Sequence, residues 1–111
     1  MKLVVVILNQ VDLVEDLLSA FLEIGISGAT VLDSTGMGRI LTTQIPIFAG
    51  LRDAFAGCCP QNKTIISIIQ ENQLRDMEIV LNEVCGDFEN KGTGIYFTIP
   101  VDNVKGFKGG Y

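Results

Sequence analysis

The feature that most constrains this chain is an imbalance between its strands and its helices. Leu3-Val-Val-Val-Ile-Leu8 and Lys63-Thr-Ile-Ile-Ser-Ile-Ile-Gln70 are apolar at nearly every position, the pattern of strands whose side chains leave water on both faces. Only two amphipathic helical patterns are available to cover them. In the first, the pairs Leu13/Val14, Leu17/Leu18 and Phe21/Leu22 recur at helical spacing and stop at Gly25, a natural C′ glycine. Asp12 with Glu15 three residues later predicts a capping box at its start. In the second, Asn72 is placed to cap a helix with Leu74, Met77, Val80, Leu81 and Val84 on one face, ending at Gly86.

Two further strands are predicted, Ala29 to Asp33 and Gly94 to Val101, the latter holding Tyr96 and Phe97. The order is then β-α-β, a long loop, β-α-β. It predicts an α+β, ferredoxin-like βαββαβ sandwich: a four-stranded antiparallel sheet, strands one and three central, two helices on one face. Two helices cover one face only. The other has to bury itself elsewhere, and another copy of the chain is the simplest partner. An obligate oligomer is expected.

Length and charge narrow the function. At 111 residues and 48% hydrophobic composition, residues 1–111 form a single domain with a proper core. The net charge of −5 opposes polyphosphate backbones and anionic membrane surfaces, so no nucleic-acid partner is expected. The Leu3–Leu8 run is too short to span a bilayer and is followed by Asn9 and Gln10 without a small-residue cleavage pattern, so neither membrane insertion nor a signal peptide is expected. Cys58, Cys59 and Cys85 are odd in number and lack the spacing of a disulfide framework or a zinc site, which predicts a reducing, cytoplasmic setting.

The segment 36–62 has no clear period and carries Gly36, Gly38, Pro46, Gly50, Gly57 and Pro60. A loop of that length in a compact domain is usually functional or disordered. Ile45-Pro-Ile-Phe-Ala-Gly-Leu51 and Ala54-Phe-Ala56 within it are unusually apolar, suiting either a target-docking surface or packing on the assembly.

No histidine is present, which removes the usual general base and the commonest nitrogen metal ligand. Asp12, Glu15 and Asp16 crowd the first turn of a helix, where they offset its dipole rather than catalyse. Adjacent Cys58 and Cys59 rarely form a strain-free disulfide, and no metal ligand set accompanies them. Cys85 reads as core.

Gly36-Met37-Gly38-Arg39 differs in kind. Glycines let backbone N–H groups approach an anion closely, and arginine adds a bidentate contact. Gly92-Thr93-Gly94 repeats that logic before the last strand. Paired glycines at a strand end also serve simply as turns. With Lys91, Lys105 and Lys108, however, these stretches place much of a short supply of positive charge beside strand ends, and a small anionic ligand would find its donors there.

The stretch Glu23-Ile-Gly-Ile-Ser-Gly-Ala-Thr-Val-Leu-Asp-Ser-Thr-Gly-Met-Gly-Arg39 resembles the segment E-V-G-I-T-G-M-T-V-x-x-x-x-G-F-G-R of the PII family of nitrogen-regulatory signal proteins. Gly92-Thr-Gly-Ile-Tyr-Phe97 resembles that family's G-D-G-K-I-F, and with matching element order the resemblance covers almost the whole chain. It implies a ferredoxin-like protomer in a homotrimer, with clefts between subunits and long T-loops, here about residues 36–62, reaching toward a target protein. It further implies an adenine nucleotide, ATP or ADP, in those clefts, 2-oxoglutarate where Mg-ATP and the T-loop complete its site, and sensing without turnover. The family pattern carries over to Thr30, to Gly36, Met37, Gly38 and Arg39 at the T-loop base, to Ile68, to Gly92, Thr93 and Gly94 in the B-loop, and to Lys108 in the C-terminal segment.

The departures from that pattern concern charge. Ile95 stands where the family has its phosphate-holding lysine, Thr93 replaces the acid between the B-loop glycines, and Gly106 replaces one of two arginines whose second position is Lys108. Ile40 replaces the glutamine after the arginine, and 36–62 contains no tyrosine for uridylylation. Each lost charged contact weakens binding by about 1.5 to 3 kcal/mol, so two lower affinity roughly a hundredfold or more. An interaction or scaffolding trimer that kept the fold and lost the ligand is the alternative expectation.

Overall fold

The computed structural model describes residues 1–43 and 61–108. Its elements run β1 (Lys2–Leu8), α1 (Val14–Glu23), β2 (Thr30–Thr35), α2 (Met37–Thr43), β3 (Gln61–Ile69), α3 (Leu74–Cys85) and β4 (Gly94–Pro100). The four strands form one sheet in the order β2-β3-β1-β4, and every neighbouring pair is antiparallel. The protein is therefore α+β with a four-stranded antiparallel sheet whose long apolar strands, β1 and β3, lie centrally, an arrangement compatible with a ferredoxin-like fold.

The core forms between one sheet face and α1 with α3. Val4, Val6 and Leu8 alternate on β1 and meet Ile65 and Ile69 of β3, Leu17 and Phe21 of α1, and Met77 and Leu81 of α3, all at most 2% exposed. These are the helical faces that the 3.6-residue spacing predicts. Cys85 joins them, buried, and desolvation pushes its thiol up to about 11. Ser67, also buried, donates its hydroxyl to the Gly28 carbonyl at 2.6 Å and so ties the start of β2 to β3 without an orphaned polar group.

The opposite face carries Leu3, Val5 and Ile7 of β1, Ile66 and Ile68 of β3, Leu32 of β2, and Ile95, Phe97 and Ile99 of β4, by the alternation and register of the strands. Thr30, Ser34, Asn62 and Thr64 complete it, and none of these positions is charged. Four of the side chains are well exposed: Leu32 at 44%, Ile95 at 54%, Phe97 at 41% and Ile99 at 45%. Most of the described acids lie instead on the helices and their flanking turns, where Glu15, Asp16, Glu23, Asp76, Glu78 and Glu83 are all exposed.

The helix starts differ from the sequence expectation. Asp12 does not form a capping box with Glu15; it lies inside a 3-10 turn, Val11–Leu13, that leads straight into α1 with no side-chain cap. Asn72 likewise lies inside a 3-10 turn, Glu71–Gln73, and the capping box belongs to Gln70 and Gln73. Gln73 serves twice, its Oε1 accepting from the Gln70 N–H at 2.9 Å and its Nε2 donating to the Gly25 carbonyl at 3.0 Å. Gly25, at φ +88°, closes α1 as expected.

The expectation that residues 36–62 lack regular structure is also corrected. Met37–Thr43 forms α2, giving three helices among the described residues rather than two. The Gly36 carbonyl accepts the Ile40 N–H at 3.2 Å to open it, and Thr42 donates its hydroxyl to the Gly38 carbonyl at 2.7 Å. The short, glycine-containing run has too few turns to register as periodic. The apolar stretches 45–51 and 54–56, Cys58 and Cys59 lie outside the described residues.

Candidate functional site

Two of the expected glycine clusters meet at the same end of the sheet. The rows Asp33–Lys63 and Lys63–Leu8–Gly94 align the end of β2, the start of β3, the end of β1 and the start of β4. Gly36, Met37, Gly38 and Arg39 follow β2 there, and Gly92, Thr93 and Gly94 precede β4. Within one chain they occupy opposite edges, separated by the two central strands, or about 14 Å across three strand spacings. One small ligand does not span both clusters of a single chain.

The remaining expected residues lie elsewhere. Thr30 is exposed at the start of the edge strand β2, opposite Ile66 on the uncharged face. Ile68 is near the far end of β3, where it lines an apolar cavity of about 330 Å³ with Val104, Lys105, Gly106 and Phe107 of the C-terminal segment. Lys108 is exposed just beyond it. The fold thus brings Gly36–Arg39 and Gly92–Gly94 to one sheet end, and Ile68 and Lys108 to the other.

Local packing accounts for much of the Gly92–Gly94 sequence. Gly94 adopts φ +137° and its Cα faces the Ile7 carbonyl so closely that no Cβ fits between them. Gly92 is at φ +94°, and Thr93, 7% exposed, donates its hydroxyl to the Asp87 carbonyl at 3.0 Å. The threonine hydroxyl thereby closes the turn that leads from α3 into β4. At the other cluster, Met37 is 71% exposed, Arg39 is half-buried, and Gly38 is internal to α2.

Two features near these residues were not legible beforehand. Beside Gly94 and Ile95, a cavity of about 370 Å³ is lined by Glu78, Asn82, Asp87, Phe88, Glu89 and Tyr96. Its three carboxylates give the B-loop a negative neighbourhood, the opposite of a phosphate cradle. Tyr96 donates its phenol to Glu78 Oε2 at 3.0 Å and stacks edge-on against Phe88 with ring centroids 5.0 Å apart. Partial burial, then the hydrogen bond and the charge of Glu78, raise its pKa above that of an ordinary phenol.

The second feature is a polar chain at the α2 end of the uncharged face. Ser34 donates its hydroxyl to Asn62 Oδ1 and lies 2.8 Å from Thr64 Oγ1. Because a serine hydroxyl carries one proton, Thr64 is the donor in the second bond. Asn62 is 8% exposed, and its amide nitrogen lies beneath Gly36, 3.7 Å from where a Cβ would stand. An adjoining cavity of about 260 Å³ takes in Ser34, Thr35, Gln61, Asn62 and the Lys63–Asp33 ion pair, closed at 2.9 Å. Only the pairing register brings these residues together.

No family model matches the chain, and no curated protein matches it. Among the described residues no group of three or more His, Cys, Asp or Glu is placed to hold a metal ion, and no helix is long and apolar enough to cross a membrane.

Proposed function

We propose that the chain is the subunit of a symmetric oligomer, a homotrimer by its resemblance to PII proteins, that senses a small anionic effector between subunits and signals to a target protein through residues 36–62. The observation that carries this reading is the uncharged sheet face. Its apolar residues extend over all four strands, about 14 Å across and about 14 Å along, roughly 400 Å² with side-chain radii included. A patch of roughly 400 Å² is on the scale of the largest on a typical monomer, and such patches are often functional; its spread over all four strands with no charge supports its use as an interface. The acidic helix layer suits the solvent side of the same assembly, and an uncharged face is matched by a second copy of itself.

The split placement of the glycine clusters supports clefts between subunits. Joining the β2 edge of one copy to the β4 edge of the next would bring Gly36–Arg39 and Gly92–Gly94 together. Arg39 would then be the main charged contact, with Thr30 near the seam, and an adenine nucleotide is the effector class that the resemblance favours. An effector shifts the state of residues 36–62 only as far as it prefers one state over another. Light scattering of the purified protein, followed by calorimetry with ATP, ADP, AMP and cyclic nucleotides, tests both halves. A monomer removes the clefts, and no heat across that panel removes the nucleotide.

A second reading rests on the carboxylate-lined cavity beside Gly94 and on Ile95 at the phosphate-lysine position. Both disfavour an anion at the B-loop and support a non-sensing trimeric scaffold with residues 45–56 as a constitutive docking surface. Arg39→Ala separates the two: it leaves partner capture unchanged in a scaffold and alters it in a sensor.

A further inference from the structure

We infer that the Ser34–Asn62–Thr64 chain sets the register in which copies of this protein associate, an inference that rests on the assembly reading above. The other polar side chain of the sheet face, Thr30, stands on the same edge strand but is separated from Ser34 by Leu32; the trio forms a polar cluster at the end of the β2–β3 pair. A uniformly apolar face accepts many sliding arrangements at similar energy, because burial is non-directional. A polar corner breaks that degeneracy. Ser34 and Thr64 are half-buried, and by strand alternation their side chains belong to this face.

The hydrogen-bond chain makes the corner selective rather than merely polar. Thr64 donates to Ser34, Ser34 donates to Asn62 Oδ1, and both hydroxyl protons are consumed. The Asn62 amide nitrogen lies beneath Gly36, so what the two hydroxyl groups still offer a partner is acceptor capacity on their oxygens. An arrangement that lays a neighbour's isoleucine or phenylalanine over them strips water from those acceptors without replacement. One that leaves the corner at the wet rim, or opposite a donor, does not. Buried polar groups of this kind fix register in other assemblies at the expense of some stability.

Native mass spectrometry and light scattering on three variants test this. The unaltered protein is expected to show a single stoichiometry. The triple variant Ser34→Ala, Asn62→Val, Thr64→Val makes the corner apolar and is expected to spread over two or more stoichiometries while keeping its circular dichroism. Thr64→Val alone is isosteric, leaves the Ser34–Asn62 bond intact and is expected to spread partially; it decides the matter if the triple variant does not fold. Ile99→Val, on the same face at the opposite, β4 edge, is expected to keep the single stoichiometry. The inference is overturned if the corner variants keep one stoichiometry, or if Ile99→Val spreads equally. A monomeric parent protein overturns the assembly reading itself, a distinguishable result.

Discussion

Gly94 packs its Cα against the carbonyl oxygen of Ile7, across the β4–β1 pair, with no space for a side chain. Its φ of +137° is also one that residues with a Cβ rarely adopt. Gly94→Ala is expected to destabilise the protein by about 2–5 kcal/mol, combining backbone strain with a steric clash. Urea unfolding measures this. A loss below about 0.5 kcal/mol, the scale of an ordinary surface change, would mean that the strand end yields easily. Ligand-binding tests should therefore substitute Arg39 rather than Gly94, whose replacement disturbs the fold.

Charge on the open face should dissociate the proposed assembly without unfolding the chain. Phe97 is 41% exposed on that face. Phe97→Asp is expected to shift the molar mass to that of one chain at micromolar concentration, with the far-ultraviolet spectrum retained. Glu15→Lys, on the exposed side of α1, is the control and should leave the mass unchanged. Light scattering reads both, and an unchanged mass for Phe97→Asp would place the interface elsewhere.

The buried thiol of Cys85 links stability to alkaline pH. Its pKa rises from 9.0 to about 11 on folding, so the neutral form is favoured in the folded state. The unfolded chain loses its proton first. The contribution of Cys85 to stability is therefore complete below pH 9 and declines as pH rises toward 11. Denaturant midpoints across that range, compared with those of Cys85→Ala, should show a steeper fall in the parent protein. Parallel curves would sink the prediction.

Tyr96 reports on the cavity beside the B-loop. Its phenol is held above the ordinary range by partial burial, and further by the Glu78 hydrogen bond and charge. Glu78→Gln removes the charge and should bring the Tyr96 titration back toward the ordinary value. Ultraviolet titration in a Tyr111→Phe background isolates the signal. The pair is exposed, so the effect on stability should be small, within about 0.5 kcal/mol.

The helix and strand identities were legible because they rest on period. Leu17, Phe21, Met77 and Leu81 fall on one helical face in the sequence and are buried together. The alternation of β1 and β3 failed to show only because both faces are apolar. The helix starts were misread at Asp12 and Asn72, since an acid or amide before a helical run also fits a 3-10 turn, and the competing Gln70–Gln73 pair forms the box. α2 was missed because Met37–Thr43 spans fewer than two turns.

The candidate site was legible as parts. Gly36–Arg39 and Gly92–Gly94 stand out as glycine clusters near scarce positive charge, yet only pairing register places them at one sheet end and on opposite edges. The acidic cavity was hidden because Glu78, Asp87 and Glu89 belong to a helix and a turn that look merely solvated until Tyr96 comes up beside them.

The sequence by itself determined that four strands and two long helices would form one layered domain with a greasy face left over, because side-chain periodicity and apolar burial are local properties readable along a chain. Only the tertiary structure decided which polar atoms meet: Gly94 against Ile7, Tyr96 on Glu78, and Ser34 between Asn62 and Thr64. Those contacts depend on strand register, where a shift of one residue exchanges the two faces, and register is set by the packing of the whole sheet rather than by any segment of it.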